Sequence, residues 1–177
     1  LQLQLTTDEF LVAAKHLARY LNFTMDYKLT YSKSCYSDLD LSAYQIDPYV
    51  PTGFSDANWA APKSVTSVLV MYLNAALLWR VSKQESTALS TVESELVALS
   101  DLSQELEYTR KLFTDLAIFV DGTLPGFCDS KGAIENAKHP IVKNKLKHID
   151  IKCFYVRGCI EKHLITIRKI NGLLNPS

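Results

Sequence analysis

Three acidic residues stand in apolar surroundings at widely separated places in the sequence. Asp56 lies in the segment GFSDANWA, Glu95 in STVESELVAL and Asp129 in FCDS. A carboxylate without a partner is costly in an apolar setting, so three brought together repel one another unless a cation lies between them. Oxygen donors select Mg²⁺ or Mn²⁺ over zinc. The pattern therefore predicts that Asp56, Glu95 and Asp129 form a divalent-metal site.

Such a site has a definite chemistry. Two divalent ions about 3.5–4 Å apart activate water and stabilise the leaving oxygen when a phosphodiester is cleaved. Each of the three acids taken alone is more typical of an ordinary surface group or a helix cap. The prediction therefore depends on whether the fold brings all three together.

The periodicity of apolar residues predicts elements that could do so. Asp56 lies in a predicted strand, Asp129 ends another, and Glu95 lies in the first two turns of a helix that a Ser90–Glu93 capping box opens. This order of elements favours an α/β fold with a mixed sheet and helices on its faces. The predicted strands span residues 53–60, which contain Asp56, 66–73, 76–82, 125–129, which end at Asp129, and 163–170. Two further helices are predicted at 131–137 and 146–161, and a turn at 172–177.

The first fifty residues differ from the rest of the chain in their sequence pattern. A capping-box pattern at Thr6 and Glu9 and apolar residues at helical spacing predict a helix over residues 7–22. A short extended piece is expected at 27–31. Residues 32–50 are polar and turn-prone, so we interpret them as a linker or insertion and place a domain boundary at residue 50.

Bulk composition excludes little, but charge is unevenly distributed. The chain has 177 residues, 47% of them hydrophobic, with 19 basic and 19 acidic residues. A sizeable core is therefore possible and disorder is disfavoured. Residues 85–121 hold eight acids and two bases, whereas residues 138–169 hold nine Lys or Arg and two acids. This asymmetry suits a metal and a polyanionic partner, although solvated helix faces would give the same pattern.

The four cysteines have no paired short spacing, which indicates free thiols in a reducing compartment. Two histidines and two cysteines near the C-terminus do not have usual zinc spacings. No stretch of sequence is apolar enough to cross a bilayer, and no signal peptide is visible, so no membrane partner is expected. Because the sequence starts at Leu1, we expect a piece of a longer polypeptide.

Several motifs together resemble the ribonuclease H domain of copia-type LTR retrotransposon polyproteins. Besides the three acidic segments, these are WRVSKQ at 79–84 and KHIDI at 147–151. Upstream, AAKHLARYLNFTMDYKLTY at 13–31 is similar to the segment that joins reverse transcriptase to ribonuclease H. The resemblance covers about four-fifths of the chain.

The resemblance implies a ribonuclease H-like fold, a mixed five-stranded sheet flanked by helices, with an N-terminal helical appendage. Residues 1–50 would be the end of the reverse transcriptase and connection region, and residues 51–177 a ribonuclease H-like domain lacking its last helix. The implied activity is endonucleolytic hydrolysis of the RNA strand of RNA–DNA hybrids during reverse transcription. The implied partners are the hybrid and the reverse transcriptase domain of the same polyprotein. The location would be intracellular: a cytoplasmic virus-like particle for an active element, or the nucleus.

In the family, four carboxylates in the order Asp, Glu, Asp, Asp hold the metal. By resemblance Asp56, Glu95 and Asp129 match the first three; Glu95 fits better than Glu93, which the capping box already uses. The fourth belongs to a D-x-x-T-K stretch after the last strand, and residues 174–177 look like the run-up to it. We therefore expect the fourth acid to lie outside this sequence and cleavage by this chain to be weak or absent.

Basic residues near the KHIDI motif are candidates for phosphate contacts, which depend on charge and not on sequence. Some of them would be merely solvated, and His148 could instead cap the following helix. Trp59 and Trp79 are expected to fill the core and not to stack on bases. The candidate nucleic-acid-binding residues are Lys143, Lys145, Lys147, His148, Lys152 and Arg157.

Two other functions remain open from the sequence. One is a non-catalytic remnant that binds hybrid or positions neighbouring polyprotein domains; departures from the family pattern, such as Val68 in place of glycine and Phe154 in place of histidine, point to a diverged copy. The other is an integrase-like nuclease on the same fold. Its acids would run Asp, Asp, Glu, and the central position of Glu95 counts against it.

Overall fold

The structure is a computed structural model that describes residues 7–32, 42–138 and 147–177. Lys143 and Lys145 lie outside the described residues, as do the side chains of Lys147 and His148, so their assignments stay predictions. The chain divides into two compact units, Leu1–Thr30 and Tyr31–Ser177. The domain boundary predicted at residue 50, which separates regions of a parent polyprotein, also stays a prediction.

The first unit contains one long helix, α1 (Thr7–Phe23), as the helical spacing predicts. Apolar side chains on it are exposed, including Phe10 at 64% and Phe23 at 78%. Residues 27–31, expected to be a short extended piece, belong to no helix or strand.

The second unit is built on a five-stranded mixed sheet in the order β3-β2-β1-β4-β5. The first three strands are antiparallel neighbours, whereas β1 pairs in parallel with β4, and β4 with β5. The predicted sheet is therefore confirmed, and β1 is its central strand. The strands are β1 (Thr52–Asn58), β2 (Val65–Tyr72), β3 (Ala75–Lys83), β4 (Leu124–Cys128) and β5 (Ile165–Lys169).

A tight turn at Leu73 and Asn74 joins β2 to β3. Leu73 and Asn74 both have positive φ, 51° and 61°, as a two-residue type I′ hairpin loop requires. Asparagine tolerates this conformation well, but leucine does so rarely. The pairing on both sides of the turn fixes the register of the hairpin.

Three helices follow the hairpin within the second unit. They are α2 (Thr91–Asp115), α3 (Lys131–Lys138) and α4 (Lys147–Glu161), and short 3₁₀ helices occur at Ser42–Tyr44 and Gly172–Leu174. Ser90 caps α2, because its hydroxyl accepts from the Glu93 N–H at 3.2 Å. The Glu93 carboxylate accepts from the Leu89 N–H at 2.7 Å, one residue before the position that a capping box uses.

Helix α2 packs closely against the central strands because glycines there leave room for it. A Cβ on Gly53 of β1 would lie 2.5 Å from Leu102 Cδ1, and a Cβ on Gly126 of β4 would lie 3.3 Å from Leu102 Cδ2. The main core lies on this side of the sheet. Its fully buried residues include Val70, Leu96, Leu99, Leu102, Leu106, Val156 and Ile167.

The opposite face of the sheet carries a smaller cluster. Phe54 and Phe127 stack with ring centroids 5.4 Å apart, and Ile170 packs with them. The prediction that Trp59 and Trp79 fill the core is wrong, because they are 51% and 64% exposed. Trp79 lies on the edge strand β3, and Trp59 follows the end of β1. Among the described helices, none is long and apolar enough to cross a membrane.

Candidate metal centre

The sheet and α2 bring Glu95 and Asp129 together at one edge of the sheet, and Asp56 lies near enough for its charge to act on Glu95, although it is not among the ligand atoms that lie within 4.8 Å of one another. Strands β1 and β4 pair in parallel with Ser55 opposite Cys128, so Asp56 and Asp129 follow at neighbouring positions at the same edge. Glu95 lies in the second turn of α2, the helix that packs on β1. Ligand sites commonly lie at this carboxyl edge of parallel strands.

Glu95 is held by two contacts and is only 8% exposed. Its Oε1 accepts a hydrogen bond from the backbone N–H of Ala57 at 3.2 Å. Its Oε2 lies 3.8 Å from the Cys128 thiol, which donates to it. These contacts fix the carboxylate between β1 and β4.

Ligand atoms of Glu95, Cys128 and Asp129 all lie within 4.8 Å of one another. Burial raises the pKa of the Cys128 thiol to about 12, with the charges of Glu95 and Asp129 adding to the shift. The thiol is therefore neutral near pH 7 and acts as a hydrogen-bond donor to Glu95. Cys128 is not among the predicted site residues, and its position immediately before Asp129 is the one signal in the sequence that points to it.

The electrostatics of the cluster are repulsive. Burial, with the charges of Asp129 and Asp56 acting in the same direction, raises the pKa of Glu95 to about 8. Burial and the Asp129 charge likewise raise the pKa of Asp56, against the opposing effect of the Ala57 backbone hydrogen bond. Two carboxyl groups with raised pKa values beside a third acid fit a hard divalent cation, which would relieve both the desolvation of Asp56 and Glu95 and the repulsion within the cluster.

Glu93 does not join the cluster. Its carboxylate is bonded to the Leu89 N–H, so the structure brings Glu95 and not Glu93 to Asp129. This choice between the two glutamates agrees with the expectation from the resemblance.

The segment after β5 passes beside Asp129. A Cβ on Gly172 would lie 2.9 Å from Asp129 Oδ2. The Asn175 side-chain amide donates to the Ser55 carbonyl at 3.0 Å, and the Asn171 N–H donates to the Tyr44 hydroxyl at 2.9 Å. Residues 170–177 contain no acid, so this segment contributes backbone and amide groups to the surroundings of the site.

Two of the predicted nucleic-acid-binding residues have partners within the protein. Lys152 Nζ lies 3.5 Å from Asp101 Oδ1. The Arg157 guanidinium donates to the Asn136 carbonyl at 3.2 Å and lies 5.4 Å from the centre of the Phe154 ring. These contacts join α4 to α2 and α3 and favour a structural role for both residues.

No protein-family model matches the chain. The chain is 27% identical over 169 residues to the retrovirus-related Pol polyprotein from transposon TNT 1-94 of Nicotiana tabacum, and equally so to that from transposon RE1 of Arabidopsis thaliana. Each match covers 93% of this chain but only 12% and 11% of the relatives' lengths. A further relative is secreted RxLR effector protein 161 of Plasmopara viticola, 32% identical over 97 residues, covering 52% of this chain and 60% of that protein.

Solved structures confirm the fold. LC11-RNase H1 in complex with an RNA/DNA hybrid matches with a TM-score of 0.54 at 14% identity, over 71% of this chain and 88% of that one. A protease-reverse transcriptase from prototype foamy virus matches with a TM-score of 0.51 at 17% identity, over 70% of this chain and 18% of that one. The chain is therefore a homologue of the Pol polyproteins of retrovirus-related transposons, and it has the fold of a ribonuclease H domain.

Proposed function

We propose that Asp56, Glu95 and Asp129 hold Mg²⁺, or Mn²⁺, for hydrolysis of the RNA strand of an RNA–DNA hybrid during retrotransposon reverse transcription. The observation that carries this proposal is the placement of three repelling carboxyl groups at one edge of a ribonuclease H-like sheet. A bound ion of this kind lowers the pKa of water and stabilises charge on the leaving oxygen.

The protein residues have separate tasks in this proposal. Asp56 and Asp129 project from neighbouring parallel strands, whose pairing fixes the distance between them. Glu95 comes from α2, and the Ala57 N–H sets the direction of its carboxylate. The neutral Cys128 thiol steadies the second oxygen of Glu95 without adding a fourth negative charge.

Three carboxylates are fewer than the four that the resemblance implies. The segment after β5 lies beside Asp129, where residues 170–177 supply no acid. A second ion would therefore lack a ligand, and we propose that cleavage by residues 1–177 alone is weak.

The proposed partners are an RNA–DNA hybrid and the reverse transcriptase region of the same polyprotein. Two findings support the second partner: the matching Pol polyproteins are far longer than this chain, and one structural neighbour is a protease-reverse transcriptase. The exposed apolar residues of α1, such as Phe10 and Leu17, suit contact with such a neighbouring region. The proposed location is intracellular.

Cleavage of a labelled hybrid in Mg²⁺ tests the enzymatic proposal. The comparison is between the wild-type chain, Asp56→Asn and the matched control Glu93→Gln, which changes a carboxylate of α2 outside the cluster. We expect weak cleavage by the wild type and by the control, and none by Asp56→Asn. Cleavage that survives Asp56→Asn would disprove the assignment.

A second candidate is a non-catalytic remnant that binds hybrid or positions neighbouring polyprotein domains. The observation that favours it is the departure of Val68 and Phe154 from the residues that the resemblance implies at those positions. This candidate predicts hybrid binding that Asp129→Asn leaves unchanged, together with no cleavage in either Mg²⁺ or Mn²⁺.

A further inference from the structure

Gln84 is a buried polar residue at the point where β3 ends. It is 5% exposed, and its backbone N–H donates to the Ser64 carbonyl at 2.8 Å, which extends the pairing of β2 and β3. Its side-chain nitrogen Nε2 donates to Thr66 Oγ1 at 3.0 Å and to the Ser94 carbonyl at 2.9 Å. One amide group therefore joins β2 to the first turn of α2.

Both hydrogen bonds of the Gln84 amide reach residues that are adjacent to Glu95 or to its hydrogen-bond donor. Ser94 immediately precedes Glu95 in α2, so its carbonyl position determines where the helix carries the Glu95 side chain. Thr66 pairs with Ala57 across β1 and β2, and the Ala57 N–H donates to Glu95 Oε1. The contacts form a closed ring from Gln84 through Ser94, Glu95, Ala57 and Thr66 back to Gln84.

The buried amide of Gln84 is better explained by a role in positioning neighbouring groups than by a contribution to the stability of the protein. Ser94 and Thr66 are 0% and 1% exposed, so Gln84 places its amide among buried groups. No described protein group bonds Gln84 Oε1, which is itself buried. Leaving an acceptor unpaired is unfavourable, and an apolar residue of similar size would avoid that penalty. Buried hydrogen-bonded groups of this kind fix geometry strongly because the surroundings are poorly polar.

We propose that Gln84 is a positioning residue for the metal centre: its amide holds the first turn of α2 against β2 so that Glu95 meets Ala57 and Asp129. The inference rests on the proposed function, because it takes Glu95 as a ligand. Gln84 touches neither the ion nor the substrate. Groups that orient ligands in this way typically change metal affinity by 10- to 100-fold.

The variant Gln84→Met tests the proposal, since it keeps the volume and removes both donors. Two measurements are made on the folded protein: Mn²⁺ affinity by calorimetry, and hydrogen exchange of the Ala57 amide by NMR. We expect Mn²⁺ binding about tenfold weaker and faster exchange at Ala57. Thr109→Val is the control, because it removes another buried α2 hydrogen bond, from Thr109 Oγ1 to the Glu105 carbonyl, and should leave both measurements unchanged.

A double-mutant cycle separates positioning from general destabilisation. In a Glu95→Gln background, Gln84→Met should cause no further loss of Mn²⁺ affinity, because it acts through Glu95. An equal loss in both backgrounds, or no loss in either, would overturn the proposal. If Gln84→Met does not fold, Thr66→Val removes one of the two acceptors and should weaken Mn²⁺ binding about threefold; unchanged affinity in that variant also overturns it.

Failure of the proposed function gives a different result. In that case the wild type shows no Mn²⁺ binding that depends on Asp56. Hydrogen exchange of the Ala57 amide then tests the role of Gln84 without reference to metal binding. Faster exchange in Gln84→Met supports the positioning role, and unchanged exchange contradicts it.

Discussion

Asp56 and Glu95 occupy an environment that opposes their own ionisation. Burial raises the pKa of both residues, and the neighbouring negative charges add to the shift. Groups arranged this way destabilise the protein alone and become favourable once a cation joins them. The predictions at this scale follow from that balance.

Asp56→Asn should make the protein more stable without divalent ions and insensitive to adding them. The substitution removes one of the repelling charges and a proposed ligand. A ligand at a hundred times its Kd stabilises the folded state by about 2.7 kcal/mol, and this gain should appear in the wild type only. Thermal unfolding with and without Mn²⁺ measures this stabilisation. The control is Asp115→Asn, which changes an exposed acid at the far end of α2. An undiminished ion-dependent rise in Asp56→Asn would contradict the site.

Stability without divalent ions should fall as pH rises from about 4.5 to about 8. The folded protein keeps a proton on Glu95 over this range, because its pKa rises from 4.5 to about 8, whereas the unfolded chain releases that proton. Stability falls with pH wherever the folded state binds more protons, by at most about 1.4 kcal/mol per pH unit for one proton. Urea unfolding across this range tests it, and Glu95→Gln should flatten the slope; a slope unchanged in that variant would refute the cause.

The sequence identified the three acids but not their surroundings. Each acid lies in a recognisable segment, so its type and place could be predicted. The partners of Glu95 are the backbone N–H of Ala57 and the Cys128 thiol. A backbone donor leaves no trace in residue types, and Cys128 resembles any apolar strand residue.

At the scale of elements, the contact of α2 with β1 determines how near Glu95 comes to the strand edge. Gly53 and Gly126 leave space for Leu102 on the helix side of the sheet. A side chain at either position would push the helix outward or force the leucine into another rotamer.

Gly53→Ala should therefore destabilise the protein by about 1–3 kcal/mol, the usual effect of overpacking a core. Gly158→Ala is the matched control: among the described residues no atom outside the local helix backbone lies within 4 Å of a Cβ added at Gly158, and alanine in the helix α4 should stabilise the protein by about 0.5–1 kcal/mol. Chemical denaturation measures both variants. Equal effects of the two substitutions would show that close packing at β1 is not the cause.

Most elements of the second unit could be predicted, because their signals are local. Richness in Val, Leu, Met and Tyr marked β2, and the cap at Ser90 marked the start of α2 within a residue. The wrong prediction for Trp79 depended on tertiary context, because Trp79 lies on an edge strand that no described helix covers.

At the scale of the whole molecule, the basic C-terminal part divides into two kinds of residue. Lys152 and Arg157 have protein partners, so their charges are partly used within the fold. Lys143 and Lys145 lie outside the described residues, and their contact with nucleic acid stays a prediction.

Lys143→Ala should weaken hybrid binding and lower the dependence of log K on log salt by about 1, the effect of losing one phosphate contact. Lys152→Ala serves as the comparison and should change the salt slope much less, because its ammonium lies next to Asp101. Fluorescence anisotropy titrations at several salt concentrations give the slopes. A larger slope change for Lys152→Ala than for Lys143→Ala would reverse this interpretation.

The parallel pairing of β1 with β4 joins distant parts of the chain. The Ser55 hydroxyl lies 3.5 Å from the Phe127 backbone carbonyl, and the two residues are 72 positions apart in the sequence. Pairings of such long range form slowly, because a large loop must close first. The β1–β2–β3 hairpins can assemble earlier, whereas the acid cluster is complete only when β4 arrives. Divalent ions should then slow unfolding and leave the refolding rate nearly unchanged. Stopped-flow kinetics can measure both rates. Ion binding would then report on the last stage of folding.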